Sequence, residues 1–258
     1  MADRLRPLWD FDDLDASEVR LREQLSREES DAGRAEVLTQ LARVQGLRGD
    51  YKGCARLLDE AEPLGHSSPV ANIRLELERG RMFRSSGDPE AALPLFQSAF
   101  ERALSAGEHY LAGDAAHMVA IAAPDREAME EWTRRGLDLG EREPEAAYWA
   151  GPLLNNLGWH YYEGGDYAAA LDAFQRALMV RERDPERGNE IEIARYAVGK
   201  TLRALGRVEE AAALLERCVA SNDDDPYFQE ELAEIYAALG RDGEARERAE
   251  RAARLRST

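Results

Sequence analysis

A pair of small residues set twelve positions apart recurs six times along the chain, and that recurrence leaves few folds open. The first small position falls at Ala42, Gly80, Ala116, Gly158, Gly199 and Ala233, and the second at Cys54, Ala92, Ala128, Ala170, Ala211 and Ala245. Both columns step by 38, 36, 42, 41 and 34 residues. A bulky position follows at Leu58, Phe96, Trp132, Phe174 and Leu215, with Ala249 in its place in the last copy. Three residues further stand Ala61, Ala99, Arg135, Ala177, Cys218 and Ala252. Small residues let two helix backbones approach, and the bulky one fills the space beside them. Between the two halves lies a turn, written Gly49-Asp50, Gly87-Asp88, Gly164-Gly165-Asp166, Gly206-Arg207 and Gly240-Arg241, in which glycine ends one helix and aspartate caps the next. The third copy has Pro124-Asp125 instead, which stops and restarts a helix equally well. A period of this size means stacked helix pairs that bury a core only against their neighbours.

The fourth copy, with Leu157, Gly158, Tyr161, Gly164, Ala170, Phe174 and Ala177, resembles the tetratricopeptide repeat, in which Leu-Gly-x-x-Tyr lies on one helix and Ala-x-x-x-Phe-x-x-Ala on the next. The resemblance runs from about residue 35 to 256. It implies an all-α fold, a right-handed α-α superhelix (solenoid) of about thirteen helices, divided as residues 1–34, a leading segment and helix, and 35–258, the six-repeat array. Two intervals exceed the usual length of about 34 residues by roughly two helical turns, which predicts longer helices. The leading helix is expected to open at Asp15-Ala16-Ser17-Glu18 and to bury Val19, Leu21 and Leu25. The arginine-rich stretch Gly243–Thr258 suits a closing helix with one wet face.

Met1 to Asp15 holds no secretory core, and no stretch approaches a membrane span, so a soluble cytoplasmic protein is expected. Cys54 and Cys218 sit in small-residue columns and read as buried packing thiols in a reducing compartment. Thirty-two arginines against Lys52 and Lys200 point to the coding bias of a GC-rich, bacterial genome. The net charge of −17 excludes nucleic acid as the default partner, because phosphate contacts need a basic surface.

A local surface can still be basic. In the family that the repeats resemble, fixed positions of each first helix line a concave groove. Here they give Arg43, Arg74, Arg81 and Arg84 in the first two copies, Tyr110, Gly113 and His117 in the third, and Asn155, Trp159 and Tyr162 in the fourth. Ile193, Tyr196, Lys200 and Arg203 follow in the fifth, and Tyr227, Glu230 and Glu234 in the sixth. Arginine forks pair carboxylates, aromatic faces hold apolar side chains, and Asn155 offers an amide to an extended backbone. The expected function is a non-catalytic scaffold whose groove holds an acidic peptide segment of a partner protein. The same arginines can instead pair with neighbouring glutamates such as Glu76, Glu78 and Glu192. Two other functional readings stay open: a regulatory sensor of a peptide or signal, and a self-associating assembly scaffold.

Chemistry-bearing motifs are scarce. His66, His109, His117 and His160 show no metal-ligand spacing, and there is no phosphate loop, dinucleotide fingerprint or nucleophile elbow. No enzyme, metal or cofactor is expected. Trp9-Asp10-Phe11-Asp12-Asp13 either folds over the start of the leading helix or mimics the ligand and occupies the groove.

Overall fold

The computed structural model describes residues 3–184, 188–221 and 224–257. These residues form α1 (Leu14–Arg27), α2 (Asp31–Leu47), α3 (Tyr51–Gly65), α4 (Pro69–Ser85), α5 (Pro89–Ala106), α6 (His109–Ala122), α7 (Arg126–Arg142) and α8 (Ala150–Glu163). They continue as α9 (Tyr167–Arg181), α10 (Gly188–Ala204), α11 (Val208–Ser221), α12 (Pro226–Ala238) and α13 (Asp242–Leu255). Thirteen helices and no strand among the described residues are the all-α arrangement that the repeats imply: one leading helix and six pairs. The chain divides into two compact units, residues 3–153 and 154–257. In the first unit α2 packs on α3, α4 on α5 and α6 on α7, while the first helices pack on one another, α2 on α4 and α4 on α6. The second unit repeats this with α10 on α11, α12 on α13 and α10 on α12.

Each pair closes on the contact between a small residue and a large one. A Cβ added to Gly158 would stand 2.5 Å from Phe174, and one added to Gly199 would stand 2.7 Å from Leu215. Phe96, Phe174, Leu58 and Leu215 are fully buried at the matching positions. The turn between the helices is as expected: Gly49 adopts φ 78° and Gly165 φ 79°, left-handed values that favour glycine. The aspartates that follow accept from the backbone, Asp50 from Gly53 at 2.9 Å and Asp166 from Ala169 at 3.3 Å.

The third copy corrects the expected register. Counted from the capping aspartate, the packing positions of α3, α5 and α9 fall at the fourth, eighth and eleventh residues: Cys54, Leu58 and Ala61 after Asp50, and Ala170, Phe174 and Ala177 after Asp166. The cap of α7 is Asp125, so its positions are Met129, Thr133 and Gly136, all buried, and not Ala128, Trp132 and Arg135. Trp132 and Arg135 lie one residue to the side, where Trp132 meets the edge of Phe100 and Arg135 covers it at 3.9 Å. With Thr133 at the bulky position, space beside Gly136 is taken by Leu153 instead.

The extra residues after this copy do not lengthen its helices. They form a 3-10 turn, Pro144–Trp149, whose Trp149 lies over Gly113 and whose Ala147 backbone lies against Gly140. In the next long interval the first helix is the longer one, α10 with 17 residues against the 14 of α8. The leading helix is also corrected: Asp13 caps it on the Ala16 amide at 2.9 Å, and Val19 is exposed while Leu21 is fully buried. Residues two apart point to opposite sides of a helix, so Val19 cannot share the face of Leu21.

The register has a direct test. Gly136→Leu should overpack α6 and α7 and cost about 1 to 3 kcal/mol, whereas Ala128→Leu should stay within about 0.5 kcal/mol. Thermal unfolding of the two variants measures both, and equal losses would restore the register with Ala128 inside.

Candidate functional site

The first helices of the first unit present charged residues on one face at helical spacing. Arg43 comes from α2, Arg74, Glu78, Arg81 and Arg84 from α4, and Tyr110, Asp114 and His117 from α6. Glu78 is 3% exposed and accepts from Arg81 at 2.5 Å, with Arg43 at 3.6 Å. The other end of the Arg81 guanidinium bonds Asp114. Arg74 pairs with Asp3 and lies 3.4 Å from Glu36. Three of the four predicted arginines are therefore already engaged by carboxylates, and only Arg84 is exposed with no ion pair among the described residues.

This pairing sets the protonation of the cluster. Burial pushes the Asp114 carboxyl up, but the attraction of Arg81 and Arg43 and the Arg81 hydrogen bond outweigh it and hold the group below the usual carboxylate range. The stability that Asp114 contributes is thus present above the ordinary carboxylate pKa and lost on acidification through its folded value. His117 stacks on Trp149 with ring centroids 5.3 Å apart. Burial pushes its pKa down to about 4; the pull of Asp114 opposes this, and repulsion from Arg81, Arg43 and Arg84 adds to it.

Between α2, α3, α4 and α6 lies a cavity of about 200 Å³. Gly46, Leu47, Cys54, Met82 and Met118 give it an apolar wall, and Arg43, Glu78, Arg81, Arg84 and Ser85 give it a polar one. Arg43 Nε and Glu78 Oε2 are buried here without a hydrogen-bond partner, one donor and one acceptor. On the other side of Arg43 and Glu78 a smaller cavity of about 110 Å³ is lined by Asp3, Arg6, Trp9 and Phe11 together with Tyr110, Tyr148 and Trp149.

The second unit carries the remaining predicted residues. Trp159 meets Tyr162 at 5.6 Å and Phe174 at 5.1 Å, edge to face in both cases. Lys200 lies 3.3 Å from Glu231, Arg203 also bonds Glu231, and the Tyr196 hydroxyl accepts from Lys200 at 3.4 Å. Asn155 keeps a buried Oδ1 without a hydrogen-bond partner. Ile193 and Tyr227 are exposed, while Glu230 pairs with Arg256.

Asp114, Glu231 and Asp3 were missed as partners of the basic residues. The available signal was the repeat itself: Arg81 and Asp114 are 33 residues apart, and Arg203 and Glu231 are 28 apart, so each pair joins one first helix to the next. Glu78 was foreseen as a partner and is one; Glu76 and Glu192 pair instead with Arg102 at 2.7 Å and Arg195 at 3.1 Å. The structure also gathers His109, Glu143 and Glu145, whose ligand atoms lie within 4.8 Å of one another. His109 Nδ1 is 3.0 Å from Glu143, a hydrogen-bond distance.

Family models described as tetratricopeptide repeat match residues 152–223, 196–258 and 35–60. The chain is a tetratricopeptide repeat protein. Solved structures of the same architecture include a Signal Transduction ATPase with Numerous Domains, with a tetratricopeptide repeat sensor, from Pyrococcus horikoshii. It aligns at TM-score 0.70 and 15% identity over 93% of this chain and 38% of its own. A Rap protein complexed with Competence and Sporulation Factor aligns at TM-score 0.60 and 19% identity, covering 95% of this chain and 70% of the other. The apo form of the quorum sensor NprR from B. thuringiensis aligns at TM-score 0.57 and 15% identity, covering 95% and 83%. At these identities the likeness is one of fold, and the chain spans little more than a third of the ATPase. No curated protein matches the sequence. No helix among the described residues is long and apolar enough to cross a membrane, and Cys54 and Cys218 of this repeat protein are buried and form no disulfide.

Two outcomes follow from the charge cluster. The unfolded chain binds a proton at an ordinary histidine near pH 6.5 and the folded chain only near 4, so stability tied to neutral His117 is complete above about 6.5. It should fall by on the order of 3 kcal/mol as the pH drops to 4, and His117→Gln should flatten that interval in melting curves taken across it. Arg81→Glu would set three carboxylates together in the interior. Arg81 therefore serves the fold as well as the face, and reversing its charge is not harmless to folding. Even Arg81→Ala should cost about 3 to 5 kcal/mol, since it strands Glu78 and Asp114, as chemical denaturation would measure.

Proposed function

We propose that the protein is a non-catalytic interaction module that holds an extended segment of a partner protein on the first-helix face of its repeats. The observation that carries this reading is the cavity beside α4. Two of its lining residues, Arg43 and Glu78, each keep a buried polar atom without a hydrogen-bond partner, Nε and Oε2, a donor and an acceptor that a small side-chain shift would turn toward a peptide amide, and buried polar groups left unpaired are costly. The Met82, Met118 and Leu47 wall suits an apolar side chain, because methionine adapts to irregular surfaces. Arg84 stands at the same cavity without an ion pair, so a ligand carboxylate would gain a charge-assisted contact there. Arg43, Arg74, Arg81 and His117 act on this reading as the frame around the subsite. In the second unit Trp159, Tyr162, Tyr196, Lys200 and Arg203 form an aromatic and cationic surface, with Asn155 available to a ligand backbone.

A second reading, that the partner segment is a signal and the module a sensor, is favoured by the structural neighbours. One is a repeat sensor of a signal transduction ATPase, one is complexed with Competence and Sporulation Factor, and one is a quorum sensor. The two readings share the site and differ in what the ligand means. Cys54 and Cys218, buried and not joined in a disulfide, fit a reducing, cytoplasmic setting.

Selection from a displayed peptide library on the full-length protein should enrich acidic peptides with an apolar residue near the carboxylate. Arg84→Glu should weaken the selected peptides at least about tenfold, consistent with one lost charge-assisted contact, while leaving the melting temperature unchanged because Arg84 is exposed. Retention of affinity in Arg84→Glu would remove the cavity as the binding site.

A further inference from the structure

The segment ahead of α1 is seated against the same face. Asp3 is 9% exposed and takes the guanidinium of Arg74 on both carboxylate oxygens. Trp9 Nε1 donates to Gln40 Oε1 on α2 at 3.0 Å. Trp9 stacks on Phe11 at 4.8 Å, and the Arg43 guanidinium lies 5.6 Å from one ring and 5.5 Å from the other. Arg6 covers Phe11 at 5.2 Å and Tyr148 at 5.8 Å.

These contacts differ from those that hold the fold. Leu5 is buried in the core of α1 to α3 and the Asp10 backbone is fixed by Ser17, so the segment has firm anchor points. The groups that reach Arg74 and Arg43 are instead a carboxylate and two rings, and Phe11 is 46% exposed. Only side chains need to move for those groups to leave. The segment carries Asp3, Asp10, Asp12 and Asp13, and of these Asp3 meets the face directly, at Arg74. A carboxylate on a buried guanidinium and stacked rings on a second guanidinium are the contacts by which a foreign acidic, aromatic peptide would be recognised.

We propose that Arg74, Gln40 and Arg43 form a recognition subsite for a partner segment bearing a carboxylate and, about six residues later, an aromatic pair, and that Asp3, Trp9 and Phe11 are its occupants in cis. The proposal rests on the peptide-binding reading above and gives that ligand its chemistry: the chain carries a copy of what it binds. A tethered competitor acts at an effective concentration in the millimolar range, so a free peptide meets an occupied subsite and binds well only when its remaining residues engage the neighbouring cavity.

The test uses the full-length chain and a labelled synthetic peptide with the sequence of residues 3–13, followed by fluorescence anisotropy. The Trp9→Ala/Phe11→Ala variant should bind that peptide at least about tenfold more tightly than the unaltered protein, because the tethered competitor is removed. Arg43→Glu added to this variant should abolish the gain. Phe11→Ala alone, which removes a half-exposed ring and spares the core, should give a smaller gain and serves should the double variant fail to fold. Equal affinity in the unaltered protein and in both variants would overturn the proposal, as would a gain that survives Arg43→Glu. Failure of the function itself looks different. Should library peptides that depend on Arg84 bind the unaltered protein and the variants alike, the interaction role stands and the cis occupancy is wrong; should no acidic peptide bind any of these proteins, the interaction role falls with it.

Discussion

The close approach of a glycine or alanine to one bulky residue is the contact on which the rest of each repeat depends. Gly158 has no room for a Cβ because Phe174 occupies it, and Gly199 stands in the same relation to Leu215. Once two helices are fixed at that separation, the face of the first helix turned away from its partner is fixed too. Arg43, Arg74, Arg81 and His117 therefore share a surface through contacts made on the opposite side of their helices. Where the bulky residue is lost, as at Thr133, the pair is completed from outside, by Leu153 and by the 3-10 turn whose Trp149 lies over Gly113. That insertion also supplies the ring on which His117 stacks, so a packing defect in one copy builds part of the candidate site.

Charge in the two units follows one plan. A carboxylate that is 3% exposed stands between two cations: Glu78 between Arg43 and Arg81, and Glu231 between Lys200 and Arg203. Each bridge joins consecutive first helices, α2 to α4 and α10 to α12, where no second-helix packing intervenes. Burying such pairs costs desolvation, and their net contribution to stability is small compared with the loss on removing one partner. Their use here is geometric: they hold long, flexible arginines in one conformation, so that on the proposed reading less ordering would remain when a ligand arrives.

The helices, the turns and the repeat register of four copies were legible because they rest on local rules: a glycine with positive φ, an aspartate cap, and small residues at fixed spacing; in the sixth copy Ala252 is buried as expected but Ala249 is exposed. The register of the third copy was misread because Ala128 and Trp132 look like the pattern, although counting four residues from the Asp125 cap gives Met129. Cap geometry is the stricter guide, since one hydrogen bond fixes where the helix begins. Site residues were legible as a list of positions and not as an electrostatic state. The pairing of Arg81 with Glu78 was legible as one alternative, whereas Asp114 lies one repeat away and is invisible to reasoning confined to a single helix. Arg84, from the same list, has no such partner and remains exposed.

The difference between these two arginines, three residues apart on α4, is a difference of roles that the repeat makes natural. Position 81 faces the next first helix and is neutralised by Asp114 on it, whereas position 84 lies nearer the turn, lines the cavity with Met82 and Ser85, and makes no ion pair among the described residues. A chain with a net charge of −17 would repel an acidic partner at long range, and salt at physiological strength screens that repulsion beyond about 8 Å. At contact the local balance decides. The immediate wall of the cavity holds Arg43, Arg81 and Arg84 against Glu78, and Asp114 is committed to Arg81, so the one uncommitted charge at the surface is positive. On the proposed reading, an acidic segment would be attracted at the mouth of the cavity, where this charge stands, and at Arg74 once Asp3 has left it.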